Sequence, residues 1–205
     1  FVVRNPGVPR ESKYLKMAAE KNIPILSDVA IFYQLCPCPF MAVTGAKGKS
    51  TTTSMIGQIF SATDPKTVVA GNITVSPLEH LDQILAENEK HPIVLELSSW
   101  LLETLEDVER GPEIAVLTNL YPEHLNRYKS YDDYKAAKEI IFKHQGTDQW
   151  SVLNYDQDDV RQVAERVPSQ IVWFSKNEID DENAVFVRGS KIVVRLNGSE
   201  DEIMG

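Results

Sequence analysis

Short apolar runs of strand length alternate with amphipathic stretches along nearly the whole chain. Phe1–Val3 reads as a strand, Asn5-Pro6-Gly7-Val8-Pro9 as a turn, Glu11–Lys21 as a helix and Ile23–Leu26 as a second short strand. Ser27 or Asp28 supplies the N-cap for a helix over Val29–Leu35. Phe40–Thr44 is a strand that runs directly into a glycine-rich segment, and Ser50–Ser61 is the helix after it. Val68–Ala70, Ile93–Leu97, Ile114–Leu117 and Val152–Asn154 are further apolar strands, separated by helical stretches at Leu78–Asn88, Tyr131–His144 and Asp159–Arg166. Continuous apolar strands alternating with helices predict an α/β fold with a mostly parallel sheet covered on both faces. Near the end, Ala184–Arg188 and Lys191–Leu196, joined by Gly189-Ser190, predict an antiparallel hairpin. The prolines around Cys36–Pro39 interrupt the pattern and mark a candidate domain boundary.

Charge changes the picture by exclusion. With 21 basic and 30 acidic residues, a net charge of −9, the chain lacks the clustered cations of a nucleic-acid surface. A nucleotide ligand needs only a local pocket of donors and stays possible. Cys36 and Cys38 sit too close in sequence for ordinary disulfide geometry and read as small buried apolar residues. No apolar run approaches the roughly 18–20 residues of a membrane span, and the cytoplasm is the expected compartment. The chain opens at Phe1 on what reads as the end of a strand and stops after Ser199–Gly205 in a polar stretch, which together suggest a piece of a longer protein.

Candidate chemistry is concentrated in Gly45-Ala46-Lys47-Gly48-Lys49-Ser50-Thr51. Glycines let backbone N–H groups turn onto an anion, and the following helix N-terminus adds its partial positive charge. Lys49 can reach outer phosphates and the Ser50 hydroxyl is placed for Mg²⁺. The usual P-loop has another glycine where Val43 stands, so the loop is a shortened variant. Alone it specifies ATP or GTP. Glu96, at the carboxyl end of its strand, and His124, just beyond the next one, occupy the edge where ligands of open α/β sheets collect. Glu96 is a candidate Mg²⁺ ligand, and a neutral imidazole at His124 suits metal binding or proton transfer. His80, His91 and His144 need no function. Periodicity alone leaves Lys138 as a solvated helix lysine.

The order of Gly45–Thr52, Gly71-Asn72-Ile73, Glu96-Leu97-Ser98-Ser99, Asn119 with His124-Leu125-Asn126-Arg127, and Tyr134-Lys135-Ala136-Ala137-Lys138 resembles the central ATPase domain of the Mur ligases. Residues 5–9 and 96–103 look most like the branch that adds D-glutamate. The resemblance implies a P-loop-type sheet over residues 37–205, an incomplete central domain. Residues 1–36 would be the end of a smaller Rossmann-like, UDP-binding domain, and the C-terminal amino-acid-binding domain has no counterpart here. It implies ATP held by Gly45, Ala46, Lys47, Gly48, Lys49, Ser50 and Thr51, and Mg²⁺ held by Ser50, Glu96, His124 and a carbamylated Lys138. It makes Lys49, His124 and Lys138 the catalytic set, with Gly7, Asn72 and Ser98 contacting substrate. The implied substrates are UDP-N-acetylmuramoyl-L-alanine and D-glutamate, in a cytoplasmic monomer with neither nucleic-acid nor membrane partners. Two other readings share parts of the pattern. A different Mur ligase or a folylpolyglutamate synthase would use the same ATP residues with another acceptor. A P-loop switch without ligation would leave Glu96, His124 and Lys138 without a role.

Overall fold

The computed structural model describes every residue except Pro6, Arg10, Thr74, Asn88, Glu89, Leu125 and Gly205. Pro6 of the expected turn, Asn88 of an expected helix end and Leu125 of the histidine segment therefore lie outside the described residues. At the start, β1 (Val2–Val3) pairs in parallel with β2 (Ile25–Leu26), and α1 (Lys13–Glu20) connects them. The helix α2 (Asp28–Leu35) follows, and Ser27 is its N-cap, its hydroxyl accepting from the Ala30 amide at 3.0 Å.

The described residues form a second, nine-stranded sheet. Its strands are β3 (Met41–Thr44), β4 (Val68–Gly71), β5 (Ile93–Glu96), β6 (Ile114–Leu117), β7 (Trp150–Asn154), β8 (Gln170–Ser175), β9 (Ala184–Arg188), β10 (Lys191–Leu196) and β11 (Ser199–Met204). The order is β11-β10-β9-β8-β7-β6-β3-β5-β4, parallel from β4 through β9 and antiparallel from β9 through β11. The expected mostly parallel α/β fold and the hairpin are both present. After β3 the chain builds β4 and β5 on one side and β6 onward on the other, so the carboxyl end of β3 opens at the switch point of the sheet.

β6 is apolar throughout, and β3 and β5 are apolar up to their last residues, Thr44 and Glu96, because both faces of these strands are covered. Ala42, Leu95, Ala115 and Leu117 join the main core with Phe32 and Tyr33 of α2, while Val43, Val94 and Val116 pack on the other face with Ile56 of α3 (Lys49–Ser61). The core therefore continues across residue 36. Arg110 reinforces that junction: its guanidinium donates to the carbonyls of Tyr33 (2.9 Å), Cys36 and Cys38 (2.6 Å) and lies 5.0 Å from the Phe40 ring centre. Cys36 and Cys38 are buried free thiols. Among the described residues no helix is long and apolar enough to cross a membrane.

Several elements differ from the sequence expectation. Pro77 opens the expected Leu78–Asn88 helix as a 3-10 turn capped by Ser76, and α4 covers Leu81–Ala86. A short α5 (Ser99–Leu102) follows β5. The helix α6 ends at Glu139, where Ile140–Phe142 tightens into a 3-10 turn, and α7 spans Asp158–Ala164. The polar tail is the strand β11. Its acidic residues are poor strand formers, but Glu200 pairs with Arg188 (2.9 Å) and Arg195 (2.6 Å), and Glu202 pairs with Lys191.

Candidate functional site

The glycine-rich loop leaves β3 and enters α3 with two glycines in left-handed backbone, Gly45 (φ 149°) and Gly48 (φ 81°). Gly48 is the N-cap and offers no side chain to the helix end, so the first amides of α3 lack a capping acceptor. Gly45 is required by packing as well as by φ, because a Cβ there would sit 2.0 Å from Thr118 Oγ1. Lys49 folds back, its ammonium donating to the carbonyls of Gly45 (3.0 Å) and Ala46 (2.9 Å). Burial pushes the Lys49 ammonium down; Glu96 and Glu123 oppose that shift and Lys47 adds to it. Ser50 and Thr51 are exposed.

Residues beyond the end of β6 grip this loop. The Ala46 amide donates to Asn119 O (2.9 Å) and the Lys47 amide to Asn119 Oδ1 (2.7 Å). The Lys47 carbonyl accepts from Thr118 Oγ1 (2.7 Å) and Asn119 Nδ2 (2.9 Å). The Lys47 ammonium pairs with Glu123 at 2.5 Å.

Glu96 ends β5 and is 1% exposed. Its Oε1 accepts from Asn72 Nδ2 at 3.2 Å, and its Oε2 is buried with no partner. Asn72 is delivered by the turn after β4, where Gly71 (φ 103°) passes so close that a Cβ would meet Glu96 O at 2.3 Å. A buried carboxylate oxygen without a donor is costly unless a cation meets it.

Lys138 is the opposite case. The Ser130 side chain caps α6 (Tyr131–Glu139) through the Asp133 amide, and the helix buries Tyr134, Ala137 and Lys138 on one face. Lys138 is 2% exposed, correcting the expectation of a solvated lysine. Its ammonium reaches Thr44 Oγ1 at 3.4 Å and lies 4.9 Å from the Tyr134 ring centre. Among the described residues no carboxylate pairs with it. Burial pushes this amine down to about 7, with Lys49 lowering it further and Glu123 opposing. Lys138 lies four residues after Tyr134 and three before Ile141, both buried, a spacing that shares their inward face and that the sequence expectation did not use.

His124 adopts left-handed backbone (φ 55°), uncommon for a non-glycine residue and typical of held functional positions. Its ring lies 5.7 Å from Trp100 and 6.2 Å from Tyr134. Arg127 stacks 4.3 Å from the Trp100 ring centre and pairs with Glu103 at 3.0 Å. Glu123 joins the groups electrically: burial pushes its carboxyl up, but Lys47, Lys49 and His124 outweigh that and hold it below the usual range. Nothing in the sequence pattern gave Thr118 or Glu123 a role; their place just beyond β6 was the available signal.

Gly7, Asn72 and Ser98 come together in a cleft of about 560 Å³, which Arg4, Asp28 and Trp100 also line. Ser98 Oγ caps α5 through the Leu101 amide (3.3 Å), and the Gly7 amide is held by Asn5 Oδ1 (2.9 Å). Outside this region His91 lies between Asp64 (2.8 Å) and Glu87 (3.0 Å), and His144 meets Glu106 O at 3.2 Å. Of the expected metal set, Glu96 and His124 are ready-made ligand types. Among the described residues no three His, Cys, Asp or Glu side chains converge as a ligand group.

A glycine loop at the switch point of a parallel sheet, with a buried carboxylate on the next strand, defines a phosphate-loop α/β domain. The Mur ligase middle domain model matches residues 43–203, and the chain belongs to the Mur ligase family. It is 43% identical over 177 residues to a UDP-N-acetylmuramoylalanine--D-glutamate ligase of Roseiflexus sp., covering 85% of this chain and 37% of that protein. A ligase of the same name from Koribacter versatilis is 38% identical over 204 residues, covering 100% of this chain and 44% of the relative. The chain thus spans less than half the length of these relatives. A solved UDP-N-acetylmuramoyl-L-alanyl-D-glutamate--2,6-diaminopimelate ligase shares the fold, with a TM-score of 0.63 at 19% identity over 95% of this chain and 50% of that one.

Proposed function

We propose that this chain carries the ATP-activating part of a cytoplasmic, monomeric ligase that joins D-glutamate to UDP-N-acetylmuramoyl-L-alanine in peptidoglycan precursor synthesis. The observation that carries this reading is a pair of buried, half-satisfied groups beside Lys49: Glu96 with an unpartnered carboxylate oxygen and Lys138 with no carboxylate. Glu96 fits a divalent cation as it stands, and Lys138 fits one once its amine is carried as an anion. Bound Mg²⁺ neutralises phosphate oxygens as a Lewis acid, and Ser50, Glu96, His124 and a carbamylated Lys138 are the side chains to hold it. Lys138 acquires that form when its neutral amine attacks the carbon of CO₂, forming an N–C bond as a C–O π bond opens and the nitrogen loses a proton, which replaces a cation by an anion.

In this reading Lys49 leaves the carbonyls of Gly45 and Ala46 to hold the outer phosphates, and the glycine loop with Ser50 and Thr51 orients them. Asn72, Ser98 and His124 line the muramoyl-alanine end of the cleft and Gly7 the uridine end. The substrate carboxylate attacks the γ-phosphorus of ATP and ADP departs, leaving an acyl phosphate. The D-glutamate amine then adds to the acyl carbon, phosphate leaves and the nitrogen gives up a proton. Support for D-glutamate comes from the names of the relatives and from residues 5–9 and 96–103. In the intact enzyme, ADP release with UDP-N-acetylmuramoyl-L-alanine is expected with D-glutamate and absent with L-alanine, meso-diaminopimelate or L-lysine. Turnover with any of the other three overturns the assignment.

A further inference from the structure

The loop's amides divide into two groups. Ala46 and Lys47 have both amides committed, to Asn119 O at 2.9 Å and Asn119 Oδ1 at 2.7 Å. The Lys47 carbonyl is doubly occupied by Thr118 Oγ1 and Asn119 Nδ2. From Gly48 onward the amides belong to an uncapped helix end. Gly45 and Thr118 interlock, since the hydroxyl occupies the space a Cβ would need. A shortened loop, with Val43 where a longer one has glycine, has fewer residues with which to define its own curvature. Here the curvature is imposed from outside.

We propose that Thr118 and Asn119 are positioning residues of the phosphate loop. They clasp Ala46 and Lys47 to the end of β6, so that a nucleotide's phosphates are met by the amides from Gly48 onward and not by those of Ala46 and Lys47. Asn119 suits this task because its carboxamide both accepts from the Lys47 amide and donates to the Lys47 carbonyl, a pairing that neither Asp nor Ala reproduces. The Thr118 hydroxyl adds a second donor to the same carbonyl, and the Thr118 amide anchors the residue to Thr44 O at 3.0 Å. The nucleotide half of the proposal rests on the functional reading above; the clasp does not.

Hydrogen exchange followed by NMR on the 205-residue chain tests the two halves separately. Without nucleotide, the Ala46 and Lys47 amides are expected to be protected and those of Lys49 and Ser50 to exchange fast. With Mg²⁺ and a fluorescent ADP analogue, the Lys47 amide keeps its protection while those after Gly48 gain it. Asn119→Ala should strip protection from Lys47 and weaken the analogue about tenfold, the order of a lost hydrogen bond or two. Thr118→Val should weaken it similarly and Thr118→Ser should restore it, which a merely space-filling role would not do. An unprotected Lys47 amide in the wild-type chain overturns the clasp, whether or not any variant folds. Unchanged affinity in a folded Asn119→Ala variant, or new protection at Lys47 and Ala46 only when the analogue binds, overturns the positioning role. A protected Lys47 in a chain that takes no nucleotide supports the clasp and sinks the functional reading.

Discussion

Lys138 and Glu96 each carry a buried charge that no ion pair among the described residues neutralises. Lys138 has its amine held near 7 rather than at the ordinary lysine value of 10.5. Unfolding therefore takes up a proton over that window, and stability rises with pH between about 7 and 10.5. Below the folded value the full penalty of the buried ammonium is present; above the unfolded value it is gone. Lys138→Met should flatten that rise in urea midpoints measured in CO₂-depleted buffer. A variant with the wild-type slope would place the effect elsewhere. Glu96→Gln keeps the Asn72 contact and removes the lone carboxylate charge. It should raise the unfolding free energy of the metal-free chain by about 1 kcal/mol, while Mg²⁺-dependent nucleotide binding falls at least tenfold. A destabilised Glu96→Gln variant would mean that the attraction of Glu96 to Lys49 outweighs the cost of burying its charge. Glu96 was legible in the sequence because a carboxylate ended an apolar strand. The left-handed backbone of His124 and the pairing of Glu123 with Lys47 were not, since both arise from how the segment after β6 folds back on the loop.

At the scale of elements, the strands with both faces covered were the most readable. β3, β5 and β6 are apolar runs up to Thr44, Glu96 and Leu117, and their positions follow from that. β11 was unreadable because its acidic run becomes a strand through basic partners of Glu200 and Glu202 on β9 and β10 that only the pairing supplies. Likewise, local pattern extends α6 to His144, whereas the packing of Ile141 and Phe142 into the core turns its last segment into a 3-10 turn. The turn after β4 is where an element's geometry bears most directly on the site. Gly71→Ala forces a Cβ against Glu96 O in left-handed backbone. It should cost about 1–3 kcal/mol from the backbone alone, read as a lower urea midpoint, together with a weaker hold of Asn72 on Glu96. An unchanged midpoint would show that the β4 turn can relax away from β5.

For the whole molecule, the junction between the first 36 residues and the large sheet is the mechanical question. The boundary expected there coincides with prolines, yet α2 packs into the same core as β3, and Arg110 binds three carbonyls of the connecting segment. Sequence pattern reports where periodicity breaks, not whether packing continues across the break. Arg110→Met leaves those carbonyls without their donor and should cost about 3 kcal/mol, with α2 amides losing exchange protection together with β3. Loss of protection in α2 alone would instead mark the junction as a hinge.

The strand order also has a consequence for the time course of synthesis. β3 is complete at Thr44, but it lies between β5, which ends at Glu96, and β6, which ends at Leu117, and the loop's grip comes from Thr118 and Asn119. A ribosome therefore releases the glycine loop long before the residues that shape it. For about fifty more residues, until β5 has emerged, the nascent chain exposes β3 with neither neighbour in place, and β6 follows only about twenty residues later. Chaperone occupancy on nascent chains should peak after β3 emerges and fall once Asn119 clears the exit tunnel.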